Sequence, residues 1–164
     1  MDGKELFSRT ILAIQEMYLK IGEPSGSVSL YYPFDGDAEG IIREFSECTR
    51  GSFPGLDVEV LPQRLRVIVS ERDCVRISNL PIKPTMIDVI SLVNGRVGID
   101  EFQKAVSSKY PDATFRKSGN IDFDWVLIFP EDVDDDVYCI SEEMGQVTFH
   151  RFSREEYLNF GYML

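Results

Sequence analysis

The sequence predicts an α+β fold in which helices pack on a mostly antiparallel sheet of about six strands. Three observations support this prediction. Apolar residues repeat at helical spacing near the N-terminus, alternate with polar residues over 56–69, and form strand-like runs again beyond residue 113. The 164 residues contain no repeat, linker or low-complexity segment, so we expect a single α+β domain over residues 1–164.

The N-terminal helix has the clearest pattern. Asp2 and Glu5 are spaced for a capping box, and Gly22 followed by Pro24 ends the helix. One apolar face is formed by Phe7, Ile11, Ile14, Tyr18 and Ile21. Steps of three and four residues place these side chains on one side of a helix, which indicates a contact with the core or with a second subunit.

Strands are expected in the middle and near the end of the chain. An extended segment at 28–34 precedes a helix at 38–50, and a pair of helices, one capped by Thr85 and one at 100–109, separates two groups of strands. The predicted strands are 56–60, 65–69, 74–80, 113–117, 124–129, 136–141 and 146–152. Within 124–129, apolar residues occupy both the odd and the even positions, which indicates a central strand covered on both faces.

A short C-terminal helix is predicted directly after the last strand. Ser153 and Glu156 have the spacing of a capping box, and Phe152 and Tyr157 occupy the two positions of a hydrophobic staple. Gly161 then ends the helix. These local signals agree, so the turn from strand to helix is well specified.

The charge of the chain argues against a nucleic-acid partner. The net charge is −11, and the second helix of the central pair begins with Asp100 and Glu101, which would face phosphates in a helix-turn-helix. No apolar run is long enough to span a bilayer, so no membrane association is expected. The N-terminus lacks the pattern of a signal peptide, which indicates a cytoplasmic protein.

The cysteines support a reducing compartment. Cys48, Cys74 and Cys139 are odd in number and widely spaced, and they form no C-x-x-C pair. Buried free thiols explain them better than disulfides or metal ligands do. With one histidine in the chain, no His/Cys ligand set exists, and we predict neither a metal nor a cofactor.

Two patches of the chain carry a family resemblance. They are Leu30-Tyr31-Tyr32-Pro33 after the N-terminal helix, and Val137-Tyr138-Cys139-Ile140 with the run from Phe149 to Tyr157 and Phe160-Gly161. In this respect the chain resembles domain-of-unknown-function family 3877, a family of uncharacterised bacterial proteins known mainly from gut Firmicutes. The resemblance implies a single domain and a cytoplasmic location. It implies no catalytic residue, because no activity is known for the family.

Cys139 and His150 form the best enzyme-like arrangement. If 142–145 is a four-residue hairpin loop, Cys139 pairs with Thr148 and Val137 pairs with His150. The thiol and the imidazole then lie diagonally on one face, at the roughly 7–8 Å typical of such neighbours. A nucleophile–base pair in a hydrolase or transferase is the resulting hypothesis. Packing on a covered face is the simpler interpretation.

An acidic run near the last two strands invites a calcium interpretation. Asp132, Asp134 and Asp136 fall at the first, third and fifth positions of an EF-hand-like loop, with Glu143 at its end. The sixth position is Val137, where the sharp turn of such a loop requires glycine. A solvated turn explains the run better than a calcium site does, and we predict no metal site.

Aromatic side chains are dense in two short stretches, and they suggest a surface for a partner. The group comprises Tyr31, Tyr32, Phe34, Phe152, Tyr157, Phe160 and Tyr162. Core packing explains most of it, but Tyr31, Tyr32, His150 and Arg151 remain candidate binding residues. The sequence therefore predicts a small cytoplasmic binding or interaction module, with an unknown protein or small-molecule partner and a homodimer left open. The alternative is the Cys139/His150 hydrolase or transferase.

Overall fold

The computed structural model describes residues 1–160, excluding the side chain of Phe160. Within that range it contains six helices and seven strands, and both of its sheets are antiparallel, so the α+β class is confirmed. The strands divide over two sheets of three and four strands. The chain forms two compact units, Met1–Ile82 and Lys83–Leu164, and the expectation of one domain stays a prediction. The predicted helix stop at Gly161 and the aromatic side chain of Tyr162 lie outside the described residues.

The first unit is organised by helix α1 (Gly3–Ile21), as the sequence predicts. The Asp2 carboxylate accepts a hydrogen bond from the backbone N–H of Glu5 at 2.8 Å, and Gly22 ends the helix with a φ of 85°. Leu6 and Ile14 are fully buried on its apolar side. Helix α2 (Glu39–Thr49) packs against α1 and shares the same core.

A three-stranded sheet completes the core of the first unit. Its strands are β1 (Val28–Pro33), β2 (Leu56–Leu61) and β3 (Arg64–Val69), in the order β1-β3-β2. Alternate residues of β3 are fully buried against the helices, because successive side chains of a strand point to opposite faces. The predicted alternation is therefore confirmed for β3. In β2 it holds only in part, because Leu56 is buried but Val60 is 55% exposed.

The predicted strand at 74–80 is wrong, because this segment lies in helix α3 (Glu71–Ser78). The Ser70 hydroxyl accepts a hydrogen bond from the N–H of Asp73 and caps the helix. Cys74 and Ile77, three residues apart, are both fully buried. The apolar residues of this short run fit the spacing of a strand and also that of a helix. The cap at Ser70 decides for the helix.

The second unit contains a four-stranded sheet and three helices. Helices α4 (Pro84–Asn94) and α5 (Ile99–Lys109) precede the sheet, and α6 (Arg154–Phe160) follows it. The strands are β4 (Thr114–Lys117), β5 (Trp125–Ile128), β6 (Val137–Glu143) and β7 (Gln146–Phe152), in the order β4-β5-β6-β7. Leu127 packs with Val89 of α4 and Phe102 of α5 on one face, whereas Val126 packs with Tyr157 of α6 on the other. The central strand is thus covered on both faces, as predicted.

The hairpin between β6 and β7 differs from the expected one. Its loop is the two-residue turn Met144-Gly145, with φ values of 53° and 76°, and Glu143 pairs with Gln146. Positive φ at both central residues is the geometry of a type I′ turn, which suits the twist of a hairpin. The predicted four-residue loop and the pairing of Cys139 with Thr148 are therefore wrong. Cys139 lies directly opposite His150.

The C-terminal capping box is confirmed. The Ser153 N–H donates to the Glu156 carboxylate at 3.0 Å, and the Glu156 N–H donates to the Ser153 hydroxyl at 3.2 Å. Phe152 and Tyr157 both pack against the cluster formed by Val126, Val137 and Cys139. The cap thus directs α6 back over one face of the sheet. No helix within residues 1–160 is long and apolar enough to cross a membrane.

Candidate functional site

The structure brings Cys139 and His150 together but buries the thiol. They are cross-strand partners on β6 and β7, the Cys139 side chain has no exposed surface, and His150 is exposed. Burial raises the pKa of the Cys139 thiol to about 11, although Arg116 partly offsets this. The His150 ring lies 4.4 Å from the ring of Phe152, centroid to centroid. A protonated, inaccessible thiol beside a histidine packed on an aromatic ring is poorly suited to nucleophilic attack.

Arg151 is held inside the second unit by an ion pair. Its side chain is 10% exposed, and its guanidinium group donates to the Asp136 carboxylate at 2.8 Å. His150 and Arg151 are neighbours in a strand, so their side chains point to opposite faces of the sheet. Only His150 of this pair presents its side chain to solvent.

Tyr31 and Tyr32 occur in the first unit and also point to opposite faces. Tyr31 is 52% exposed, and the Arg64 guanidinium carbon lies 4.9 Å from its ring centroid. Tyr32 packs against the core of the first unit, and its hydroxyl lies 3.3 Å from that of Thr10. The two tyrosines therefore do not form one binding surface, and Tyr31 is the one available to a partner.

The acidic run surrounds a lysine. The Lys83 ammonium lies 3.2 Å from carboxylate oxygens of both Asp134 and Asp135, and 3.4 Å from one of Asp136. These three carboxylates have oxygens within 4.8 Å of one another, a spacing that would suit a cation. The Lys83 ammonium already provides a positive charge at the position that a cation would take. This network therefore explains the acidic run without a metal.

Asp134 is the centre of this network. It accepts hydrogen bonds from the Thr85 hydroxyl at 2.5 Å, the Tyr138 hydroxyl at 2.8 Å and the Asp136 N–H at 2.9 Å. The prediction that Thr85 caps α4 is wrong: Pro84 begins the helix, and the buried Thr85 side chain bonds Asp134 instead. The threonine hydroxyl thus joins the helix start to the network.

Burial and charge act in opposite directions on this network. Burial tends to raise the pKa of Asp134, but the hydrogen bonds from Thr85 and Asp136 and the charge of Lys83 outweigh it and hold that pKa low. Burial raises the pKa of Asp136, which Arg151 and Lys83 only partly offset. The Tyr138 pKa is raised strongly by burial and by Asp134. This network of ion pairs and hydrogen bonds, with Asp134 and Asp136 buried at its centre, positions strands and helix and leaves little capacity to bind a substrate.

A cleft in the second unit is the better candidate site. It has a volume of about 210 Å³ and lies between α4, α5 and the end of β5. Its apolar lining is formed by Val89, Leu92, Ala105, Val106 and Phe129. A mostly apolar cavity with a few polar groups is the usual form of a small-molecule site. We call this cavity the α4–α5 cleft.

Three polar side chains converge at the α4–α5 cleft. The Tyr110 hydroxyl donates to a carboxylate oxygen of Asp88 at 2.5 Å, and the Lys109 ammonium lies 2.8 Å from the same oxygen. Burial, followed by the bond to Asp88, raises the pKa of Tyr110 to about 12. Asp88 is 27% exposed and Lys109 61% exposed, so both charges are accessible to a ligand.

Sequence reasoning missed the α4–α5 cleft. Asp88 lies on α4, whereas Lys109 and Tyr110 lie at the end of α5, and only their packing brings them together. One signal was present: Asp88 interrupts the apolar run of α4 with a charge. A charged residue inside an apolar run needs a partner, but the sequence does not identify which residue provides it.

Comparison with known proteins identifies a family for nearly the whole chain. The model of a family described as "Domain of unknown function, E. rectale Gene description (DUF3877)" matches residues 3–161. This match confirms the resemblance carried by the two sequence patches and supports a bacterial origin. No curated protein and no solved structure matches the chain.

Proposed function

This chain belongs to the DUF3877 family of domains of unknown function, and we propose that it is a small cytoplasmic binding module without catalytic machinery of its own. The observation that carries this proposal is the α4–α5 cleft, a mostly apolar cavity with three polar side chains at one place. Protein sites for small molecules combine an apolar lining with a few convergent polar groups.

The volume of the cleft limits the size of its ligand. An apolar protein cavity of about 150 Å³ holds one benzene molecule, and pockets for drug-sized ligands measure about 300–1,000 Å³. At about 210 Å³, the α4–α5 cleft fits one ring with a short arm. We therefore expect a ligand of fragment size.

The chemistry of the cleft favours binding over catalysis. Tyr110 has its pKa raised to about 12, so its phenol stays protonated near neutral pH and acts as a donor. Asp88 is engaged by both Tyr110 and Lys109. The alternative hydrolase or transferase, centred on Cys139 and His150, gains little support from a fully buried thiol.

A cytoplasmic location and the absence of nucleic-acid partners belong to the same proposal. All three cysteines are free, and two of them are buried, which suits a reducing compartment. The net charge of −11 disfavours phosphate backbones. A protein partner, a homodimer and the absence of membrane association stay predictions.

Fragment binding tests the proposal. Small aromatic compounds are titrated into the ¹⁵N-labelled protein, and amide shifts are expected in Asp88–Leu92 and Ala105–Tyr110. Ala105→Phe fills the cleft and should abolish these shifts, whereas Ser107→Phe, at an exposed position of the same helix outside the lining, should preserve them. Fragments that bind Ala105→Phe and the unaltered protein equally would show that the cleft is not the site.

A further inference from the structure

We infer that the α4–α5 cleft selects apolar primary amines, with Asp88 as the counter-ion. This inference rests on the proposed binding function and adds the class of the ligand. Lys109 shows how an ammonium is held: its nitrogen lies 2.8 Å from the Asp88 carboxylate and 5.9 Å from the centroid of the Tyr110 ring. A carboxylate beside an aromatic face provides an ion pair and a cation–π contact for the same cation.

Lys109 is a replaceable occupant of this position. Its side chain is 61% exposed, and an ion pair of this kind contributes little to stability because water competes for both charges. A ligand ammonium attached to an apolar group adds burial of that group in the cleft, which the lysine does not provide. Such a ligand can therefore displace the lysine from Asp88.

The apolar lining determines the rest of the ligand. Phe129 and Tyr110 make an edge-to-face contact with ring centroids 5.1 Å apart, and Phe129 also lines the cleft beside Leu92 and Val106. Within about 210 Å³, one phenyl ring and an arm of one or two carbons fill the space. 2-Phenylethylamine has this size and charge.

Electrostatics disfavour the other ligand classes. A carboxylate ligand could pair with Lys109 but would then lie beside Asp88, and the protein as a whole carries a net charge of −11 that repels anions and attracts cations. A neutral alcohol would compete with the Tyr110 hydroxyl for Asp88 without contributing charge. The amine is the one class that gains from both the local carboxylate and the long-range field.

Matched ligands and two variants test this inference by calorimetry. We expect 2-phenylethylamine to bind at least about tenfold more tightly than 2-phenylethanol or 3-phenylpropanoate, as a charge-assisted bond predicts. Asp88→Asn keeps an acceptor for Tyr110 but removes the charge, so amine affinity should fall at least about tenfold and alcohol affinity should stay unchanged. Lys109→Met removes the competing ammonium and should raise amine affinity up to about fivefold.

Each outcome separates the inference from the proposed function. If 2-phenylethanol binds as tightly as the amine and Asp88→Asn changes neither affinity, the cleft binds ligands without amine selectivity, and the inference fails alone. If 3-phenylpropanoate binds most tightly, the inference is also wrong. If none of the three compounds binds while other aromatic fragments still shift the amides of the cleft, the inference fails alone; if no fragment binds either, the proposed function fails with it. Lys109 is exposed, so Lys109→Met supplies an informative affinity even if Asp88→Asn impairs folding.

Discussion

Cys139 and His150 face each other across β6 and β7, yet the thiol is fully buried and the imidazole is exposed. Burial raises the Cys139 pKa to about 11, so its thiolate fraction near neutral pH is on the order of a hundredfold below that of an ordinary thiol. This relationship gives the first prediction.

Iodoacetamide should label Cys139 far more slowly than a free thiol at pH 7.5, and His150→Ala should leave that rate unchanged. Peptide mass spectrometry measures the rate, with the half-buried Cys48 as an internal reference. Rapid labelling of Cys139 that depends on His150 would instead support the nucleophile–base pair.

Lys83→Met should destabilise the protein. The change removes the one ammonium among the carboxylates of Asp134, Asp135 and Asp136, two of which are buried. We expect a loss of roughly 1–3 kcal/mol in the free energy of unfolding, less than for a fully buried pair because Lys83 is 30% exposed. Urea denaturation measures this loss.

The control for Lys83→Met is Lys104→Met, at an exposed position of α5, which should change stability by less than about 0.5 kcal/mol. Millimolar calcium should give no binding heat with the unaltered protein, because Lys83 and Arg151 already form ion pairs with these carboxylates. Equal stability of the two variants, or a calcium-binding heat, would contradict this account of the network.

Asp134 should contribute a pH-dependent stability. Its folded pKa lies below the ordinary aspartate value of 3.8, so the folded state holds this proton less tightly than the unfolded state does. The contribution is therefore fully present above about pH 4 and is lost as pH falls through the folded pKa. The raised pKa of Asp136 acts with the opposite sign, because its proton is held more tightly in the folded state.

Comparison with Asp134→Asn isolates the Asp134 contribution. The stability difference between the two proteins should be largest at neutral pH and should shrink toward pH 2. Asp132→Asn, at an exposed position of the same loop, provides the reference for removing one charge. A difference that grows on acidification would reverse the sign assigned to Asp134.

Two substitutions in the hairpin turn should have opposite effects on the stability of the protein. Met144 has a φ of 53° and is fully exposed, so Met144→Asn replaces an unfavoured residue in a type I′ turn and should stabilise the protein by about 0.5–1 kcal/mol. Gly145→Ala, at a φ of 76°, should cost about 1 kcal/mol. Thermal unfolding of both variants checks the pair. A four-residue loop would leave Met144→Asn without effect.

Local signals were sufficient for much of the fold. Asp2 caps α1 and Ser153 caps α6 with partners three residues away, so neither cap depends on distant parts of the chain. The alternation of Leu65, Val67 and Val69 likewise follows from the pleat of a single strand. These features were predicted because their causes lie within a few consecutive residues.

Competing local signals misled the prediction elsewhere. The run from Cys74 to Leu80 satisfies both a strand and a helix period, and the cap that decides for the helix, Ser70, lies four residues before the run. Glu142 and Glu143 suggest a loop by their polarity, yet both lie in β6, where the Glu142 carboxylate accepts a hydrogen bond from the Ile99 N–H at 2.7 Å. That tertiary contact gives the charged strand end a role that polarity alone does not reveal.

The sequence by itself determined the α+β class, the two capped terminal helices and the strands between them apart from the wrongly predicted strand at 74–80, because helix caps and apolar periods act over a few residues. Only the tertiary structure decided that Lys83 pairs with the acidic run and that Asp88 meets Lys109 and Tyr110 at a cleft. Opposite charges attract across space regardless of their separation in sequence, so packing determines which residues pair with a charged side chain. Packing therefore also determines where the candidate site lies.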